Sequence, residues 1–237
     1  MGKRTRGIRK KLKQLYAAAA VVVLIVTFLL SAVLLAGKCC RDQIGKEEYR
    51  LIKKIAGMSE NRQKYHLDSV PLSIVPDEKE LLQINPDYAG WLFIPGTGIS
   101  YPVVSPEDNY EYLNQTFEGQ ENPCGCLFFE ASYPPLSSEN TVIYGHNMKS
   151  GEMFGRLKKY REEDFFRQNK KIYLCYKGQW SVYQVQNVYL TDRRDKSPYE
   201  AGETDSKKMH LTLATCHGKE QRLIIQAEKQ KNFLTPC

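Results

Sequence analysis

Few groups in this chain can do covalent chemistry, and several crowd into one stretch, HLTLATCHGKEQRLIIQ, at 210–226. It holds His210, Cys216, His217 and Arg222 around a short polar turn. A thiolate, not a thiol, attacks carbonyls, so a working cysteine needs a partner that stabilises or accepts its proton. The chain offers four histidines. His66 falls in an N-terminal charged segment, away from the strand-rich region. His217 is adjacent to Cys216, and in a strand its side chain points to the opposite face. His210 shares the face but lies six residues back, roughly 20 Å along an extended chain. His146, in VIYGHNM, follows a β-rich run and a glycine. Strand ends of this kind are where loops place functional groups. Elimination selects His146.

Arg222 follows the turn HGKEQ and opens the apolar run LIIQAE. A hairpin there would return Arg222 to the end of the Cys216 strand. A guanidinium in that place can donate hydrogen bonds to a carbonyl oxygen as it gains negative charge. Taken singly, a strand-end histidine reads as a surface residue, a cysteine in LTLATC as packing, and an arginine as a surface charge. Their joint arrangement is what points to acyl chemistry.

The elements that must hold these groups are mostly strands. From about residue 84 onward, short β-branched and aromatic runs are cut by turn residues. GWLFIPGTGISYPVV reads as two strands around a Pro-Gly-Thr-Gly turn, and CLFFE, TVIYG, KIYLCY, QWSVYQVQNVYLT, HLTLATC and RLIIQAE follow. YEYLNQTF and GRLKKYREEDFFRQN read as helices between them. The expected fold is mainly β: a closed eight-stranded barrel with short helices and an N-terminal helical segment. The expected divisions are 1–16 as a basic flank, 17–36 as a transmembrane anchor, 37–80 as a stalk and linker, and 81–237 as the barrel. Ile44, Leu51, Ile52, Ile55 and Met58 supply an apolar pattern that reads as a helical stalk or a helix laid on the main domain, and VPLSIVP at 70–76 reads as an extended linker.

The net charge of +7 is wholly N-terminal. Seven basic residues and no acid lie within the first 13, which leaves 27 basic and 27 acidic residues beyond Lys13. A nucleic-acid partner is therefore not expected, because the body of the protein has no basic surplus. The flank precedes AAAAVVVLIVTFLLSAVLLA, an uncharged run at 17–36 long enough for the roughly 30 Å hydrocarbon core. It exceeds the apolar core of about 7–15 residues usual in a cleaved signal. The flank keeps the N-terminus cytosolic and exports the rest.

Seven cysteines leave at least one without an intramolecular partner. Cys39 and Cys40 would sit just outside the membrane, where LLAGKCC differs from a lipoprotein signal by Lys38, and Cys237 is terminal. Cys124 and Cys126 lack the spacing of a zinc knuckle and fit a mutual disulfide poorly, so packing is their reading. No metal or cofactor is expected, since the carboxylates form no ligand-like cluster.

TLATC resembles the T-L-x-T-C signature of sortases, the membrane-anchored cysteine transpeptidases of Gram-positive bacteria. YGHNM followed by MFGRLKKY, NPDYAGWLFIPGTGISYPVV, DNYEYLNQTF and the arginine opening the last strand resemble class B sortases in particular. The resemblance covers about residues 84–228. It implies a sortase barrel with His146, Cys216 and Arg222 as catalytic residues, and a C-terminal sorting signal of a secreted protein as substrate. Cys216 would attack its threonine carbonyl, and a peptidoglycan precursor or cross-bridge amine would take the acyl group. Asn109 and Leu113, in NYEYL, match positions where the class contacts the sorting peptide, and Ala214 and Thr215 lie within the signature itself. Ala214 stands where the signature often has serine. Residues 192–208, DRRDKSPYEAGETDSKK, are too short and polar for the long helix usual before the cysteine strand. A pilus-type polymerase, a cysteine protease using water, and an inactive tethered binding module are the competing readings.

Overall fold

A 54-residue helix, α1, runs from Gly2 to Ile55. The computed structural model describes residues 2–58, 75–200, 209–218 and 220–230. Contacts divide the chain into Met1–Gln43 and Ile44–Cys237. Within the first unit, Val21 to Leu35 present large apolar side chains that nothing covers. By length and composition this part of α1 can cross a membrane. His66 and Cys237 lie outside the described residues, as do 70–74 of the linker.

In the second unit, the last turns of α1 bury Gly45, Tyr49, Ile52 and Ala56, a spacing of four, three and four that forms one helical stripe. The stalk is thus laid on the barrel, but on a face other than the one its apolar residues suggest. Ile44, Leu51 and Ile55 are exposed, whereas Tyr49 and the carboxylate residue Glu48 are buried. Lys53 and Lys54 occupy the last turn, where cations offset the helix dipole. Gly57 then takes a left-handed conformation (φ 71). Its amide donates to Lys54 O and that of Met58 to Lys53 O, the paired bonds that end a helix and leave the next apolar residue packed inward.

Eight strands close into a barrel in the order β1-β2-β3-β4-β7-β8-β6-β5. They are β1 (Tyr88–Ile94), β2 (Ile99–Val104), β3 (Leu127–Phe129), β4 (Asn140–Tyr144), β5 (Lys171–Tyr176), β6 (Gln179–Asp192), β7 (His210–His217) and β8 (Gln221–Lys229). The pairs β2–β3 and β4–β7 are parallel and the rest antiparallel. Trp91, Leu92, Ile94, Leu127, Ile143, Leu174, Leu213 and Ile225 are fully buried within this core. Trp91 keeps its indole N–H satisfied on Ser100 Oγ at 3.0 Å, as a buried donor must be.

Two expected helices shorten. YEYLNQTF forms only a 3-10 turn at Glu111–Leu113. Asp108 Oδ1 accepts from the amides of Tyr110 and Glu111, and Cys126 and Asn122 donate across to the carbonyls of Tyr112 and Asn114. These nonlocal bonds use the carbonyls that a continuing helix would need. GRLKKYREEDFFRQN splits into a 3-10 turn (Leu157–Arg161) and a single helix at Glu163–Gln168. One further helix, Glu78–Ile84, is capped by Asp77 and buries Leu81.

Candidate active site

The parallel register of β4 and β7 sets Tyr144 beside Ala214. Two residues further along the chain, His146 follows the end of β4 and Cys216 lies within β7. On the other side of β7, the antiparallel register pairs Cys216 directly with Arg222 of β8. Three segments separated by up to 76 positions thus meet at one end of the barrel because their strands are neighbours. All seven residues singled out in the sequence (Asn109, Leu113, His146, Ala214, Thr215, Cys216 and Arg222) line one cavity of about 1170 Å³.

Cys216 is exposed, while Ala214 and Thr215 before it are buried. The strand therefore delivers its sulfur to the cavity from a rigid, packed base. His210 sits at the far end of β7, and β7 continues through His217, which directs His217 away from the Cys216 face. Thr215 Oγ1 is buried without a hydrogen-bond partner among the described residues.

His146 is oriented by the main chain. Its Nε2 stands 2.5 Å from the carbonyl oxygen of Leu113. A carbonyl only accepts, so Nε2 carries the proton and Nδ1 is the nitrogen that gains or loses one. The sequence offered no carboxylate for this task, and here a backbone carbonyl performs it. Gly145 lets the chain reach that position: a Cβ there would lie 2.4 Å from Leu127 Cδ2 and 2.8 Å from Phe154 Cδ2. Asn147 Nδ2 donates to Cys216 O at 2.8 Å, tying the histidine loop to the end of β7.

Arg222 is held beside two phenols that pack on each other. Its Nη1 donates to Tyr199 Oη at 2.7 Å, and its guanidinium carbon lies 6.0 Å from the Tyr144 ring centre and 5.6 Å from that of Tyr199. Burial opposes the charge on Arg222, but the Tyr199 hydrogen bond and the electrostatic pull of Tyr199, Tyr144 and Cys216 outweigh it, and its pKa is raised. Burial also raises the Tyr144 and Tyr199 phenols, so both stay neutral. Tyr144 donates to Glu130 Oε2 at 2.7 Å, and Asn109 Nδ2 donates to Glu130 Oε1. Asn109 Oδ1 in turn accepts from the Ala131 amide at 2.9 Å. For Glu130, burial would raise the pKa, yet these donors and Ser132 bring it below the usual carboxylate range.

Glu130, Tyr144, Asn147 and Tyr199 are bound into the candidate site and were not singled out from the sequence. Asn147 and Tyr144 flank His146 within YGHN, which was a usable signal. Tyr199 sits in the 3-10 turn Ser197–Tyr199, inside the polar segment read only as a shortened insertion. Among the described residues, no group of three or more His, Cys, Asp or Glu side chains converges to hold a metal. Cys124, Cys126 and Cys175 are buried, Cys39 and Cys40 are exposed, and none of the five forms a disulfide among the described residues.

A closed mixed barrel with cysteine, histidine and arginine gathered at one end is the arrangement of sortases, the cysteine transpeptidases. A Sortase domain model matches residues 92–230, more than half of the chain, and the protein belongs to the sortase family. Sortase B of Listeria monocytogenes is 27% identical over 218 residues, covering 78% of this chain and 89% of that protein. Among solved structures, Clostridium perfringens sortase B aligns with a TM-score of 0.60 and 28% identity, covering 65% of this chain and 100% of that one. Sortase B from B. anthracis aligns with a TM-score of 0.64 and 26% identity, covering 81% and 99%. The relatives it resembles are class B enzymes.

Proposed function

We propose that this protein is a membrane-anchored transpeptidase that cleaves a C-terminal sorting signal of secreted proteins and joins the upstream part to a peptidoglycan amine. The register that brings His146, Cys216 and Arg222 to one cavity carries the reading. The Cys216 thiolate attacks the threonine carbonyl, forming a C–S bond and a tetrahedral oxyanion. Arg222, held charged by Tyr199 and Tyr144, donates hydrogen bonds to that oxygen. As the C–N bond breaks, His146 gives its Nδ1 proton to the leaving amine. The incoming amine then attacks the thioacyl carbon, its surplus proton passes to His146, and the thiolate leaves.

Asn109, Leu113, Ala214 and Thr215 line the same cavity and would contact the sorting peptide. The apolar part of α1 would serve as a single-pass anchor, with the basic flank in the cytosol and the barrel outside. The test is transpeptidation by the full chain in detergent against a library of sorting peptides, with and without added amine. An amide product that requires the amine, and is lost in Cys216→Ala, is expected. Free acid as the sole product in excess amine would make it a protease. A product formed only with a protein lysine would make it a pilin polymerase. Failure to acylate with any peptide would leave a binding module.

A further inference from the structure

Tyr49 belongs to α1, yet its hydroxyl reaches the loop that packs against His146. It donates to Gly125 O at 2.7 Å and accepts from the Phe117 amide at 3.2 Å. Gly125 has φ 58, and its Cα packs against the catalytic histidine: a Cβ there would meet Leu113 O at 2.7 Å and His146 Cδ2 at 3.0 Å. Leu113 O is also the acceptor for His146 Nε2. One phenol therefore fixes the segment that touches both the imidazole edge and the oxygen that orients it.

The phenol is itself immobile. Tyr49 is 3% exposed and meets the Tyr101 ring edge-on with centroids 5.4 Å apart. Gly45, one turn earlier, admits the same Cys124–Gly125–Cys126 loop; a Cβ there would lie 2.9 Å from Cys124 Sγ. Burial keeps the Tyr49 phenol protonated, so it remains a donor throughout the working pH range.

We infer that Tyr49 is a positioning residue for His146, acting through Gly125 and Leu113, so that the end of α1 sets the geometry of proton transfer. The inference rests on His146 being the proton-transfer group. Tyr49→Phe keeps the ring and removes only the hydroxyl. The full chain in detergent, with ¹⁵N-labelled histidine, is compared as wild type, Tyr49→Phe, Ile52→Val and His146→Ala. Ile52 packs on the same helix face without touching the loop's hydrogen bonds.

Tyr49→Phe should lower kcat about 10-fold, displace the histidine limb of the pH–rate profile and shift the His146 ¹⁵N resonances. Ile52→Val should lower the unfolding temperature and leave both readouts in place. Inactive His146→Ala together with Tyr49→Phe signals and pH profile that overlay wild type would overturn the inference alone. Retained turnover in His146→Ala would overturn the functional reading and the inference with it. Should Tyr49→Phe not fold, 3-fluorotyrosine placed at position 49 by codon suppression retains the hydroxyl and strengthens it as a donor. A shift of the His146 resonances supports the coupling, and unmoved resonances overturn it.

Discussion

The Asn147 side chain donates to the main-chain oxygen of Cys216, so the residue next to the histidine grips the strand that carries the sulfur. This bond spans 69 positions of sequence and joins the two segments that must approach one substrate carbonyl. Asn147→Ala should lower kcat by about 10- to 100-fold with a smaller change in KM, because misplacement of about 1 Å has effects of that size. Steady-state cleavage of a sorting peptide measures it, and an unchanged kcat would show that the strand ends need no tie.

Arg222→Lys tests whether charge alone suffices. The guanidinium lies beside the Tyr144 and Tyr199 rings and donates to Tyr199 Oη, and its remaining N–H groups form a planar fork that an ammonium does not reproduce. Loss of one oxyanion donor costs roughly 10²–10³-fold in kcat, and lysine should recover little of it. Thiol labelling of Cys216 should proceed as in wild type, which separates this defect from a disturbed nucleophile.

Thr215→Val should leave the fold intact and weaken the chemistry. The Thr215 hydroxyl is buried without a partner among the described residues, so exchanging it for a methyl group removes an unsatisfied polar atom rather than a bond. An unfolding temperature equal to or above that of wild type is expected. Thr215 lines the cavity and in the proposed reaction contacts the sorting peptide, so acylation should slow. Equal acylation rates would remove Thr215 from the substrate contacts.

Gly145→Ala should behave in the opposite way to Thr215→Val. The added methyl would press on Leu127 and Phe154 directly beside His146, and overpacking costs typically about 1–3 kcal/mol. Denaturant unfolding should show that loss together with a fall in turnover. Loss of turnover at full stability would indicate a purely local displacement.

Glu48 gives a pH signature. Burial raises its pKa, against hydrogen bonds from the Glu118 amide and the Thr116 side chain that lower it. A raised folded pKa means that its contribution is fully present below the unfolded value, about 4.3, and is lost as pH rises through the folded one. Glu48→Gln keeps an acceptor for the Glu118 amide without the charge. Its melting temperature should match wild type near the acid end and exceed it at neutral pH. Glu130 carries the reverse sign. Its folded pKa is lowered, so its stabilisation is present above the ordinary carboxylate range and lost as pH falls through the lowered value.

All eight strands were legible because alternation and turn residues are local signals, and β1, β2, β5, β7 and β8 follow the runs read for them. The Cys216–Arg222 juxtaposition was equally legible, since a hairpin relates neighbours in sequence. The parallel β4–β7 pairing was not, because nothing local in TVIYG names a partner 70 residues away. His146 was reached instead by exclusion and by family resemblance. Tyr199 and Glu130 stayed hidden because their value arises only when Arg222 and Tyr144 are brought to them. On α1, the apolar count misled: a phenol and a carboxylate that find buried partners displaced Leu51 and Ile55 from the packed face.

Cys216 rides on β7, and barrel closure sets it beside a histidine synthesised long before it. While the polypeptide is still emerging, its sulfur has neither imidazole nor guanidinium for company. In the proposed reaction, acyl transfer is thereby withheld until β8 has been made and has paired with β7.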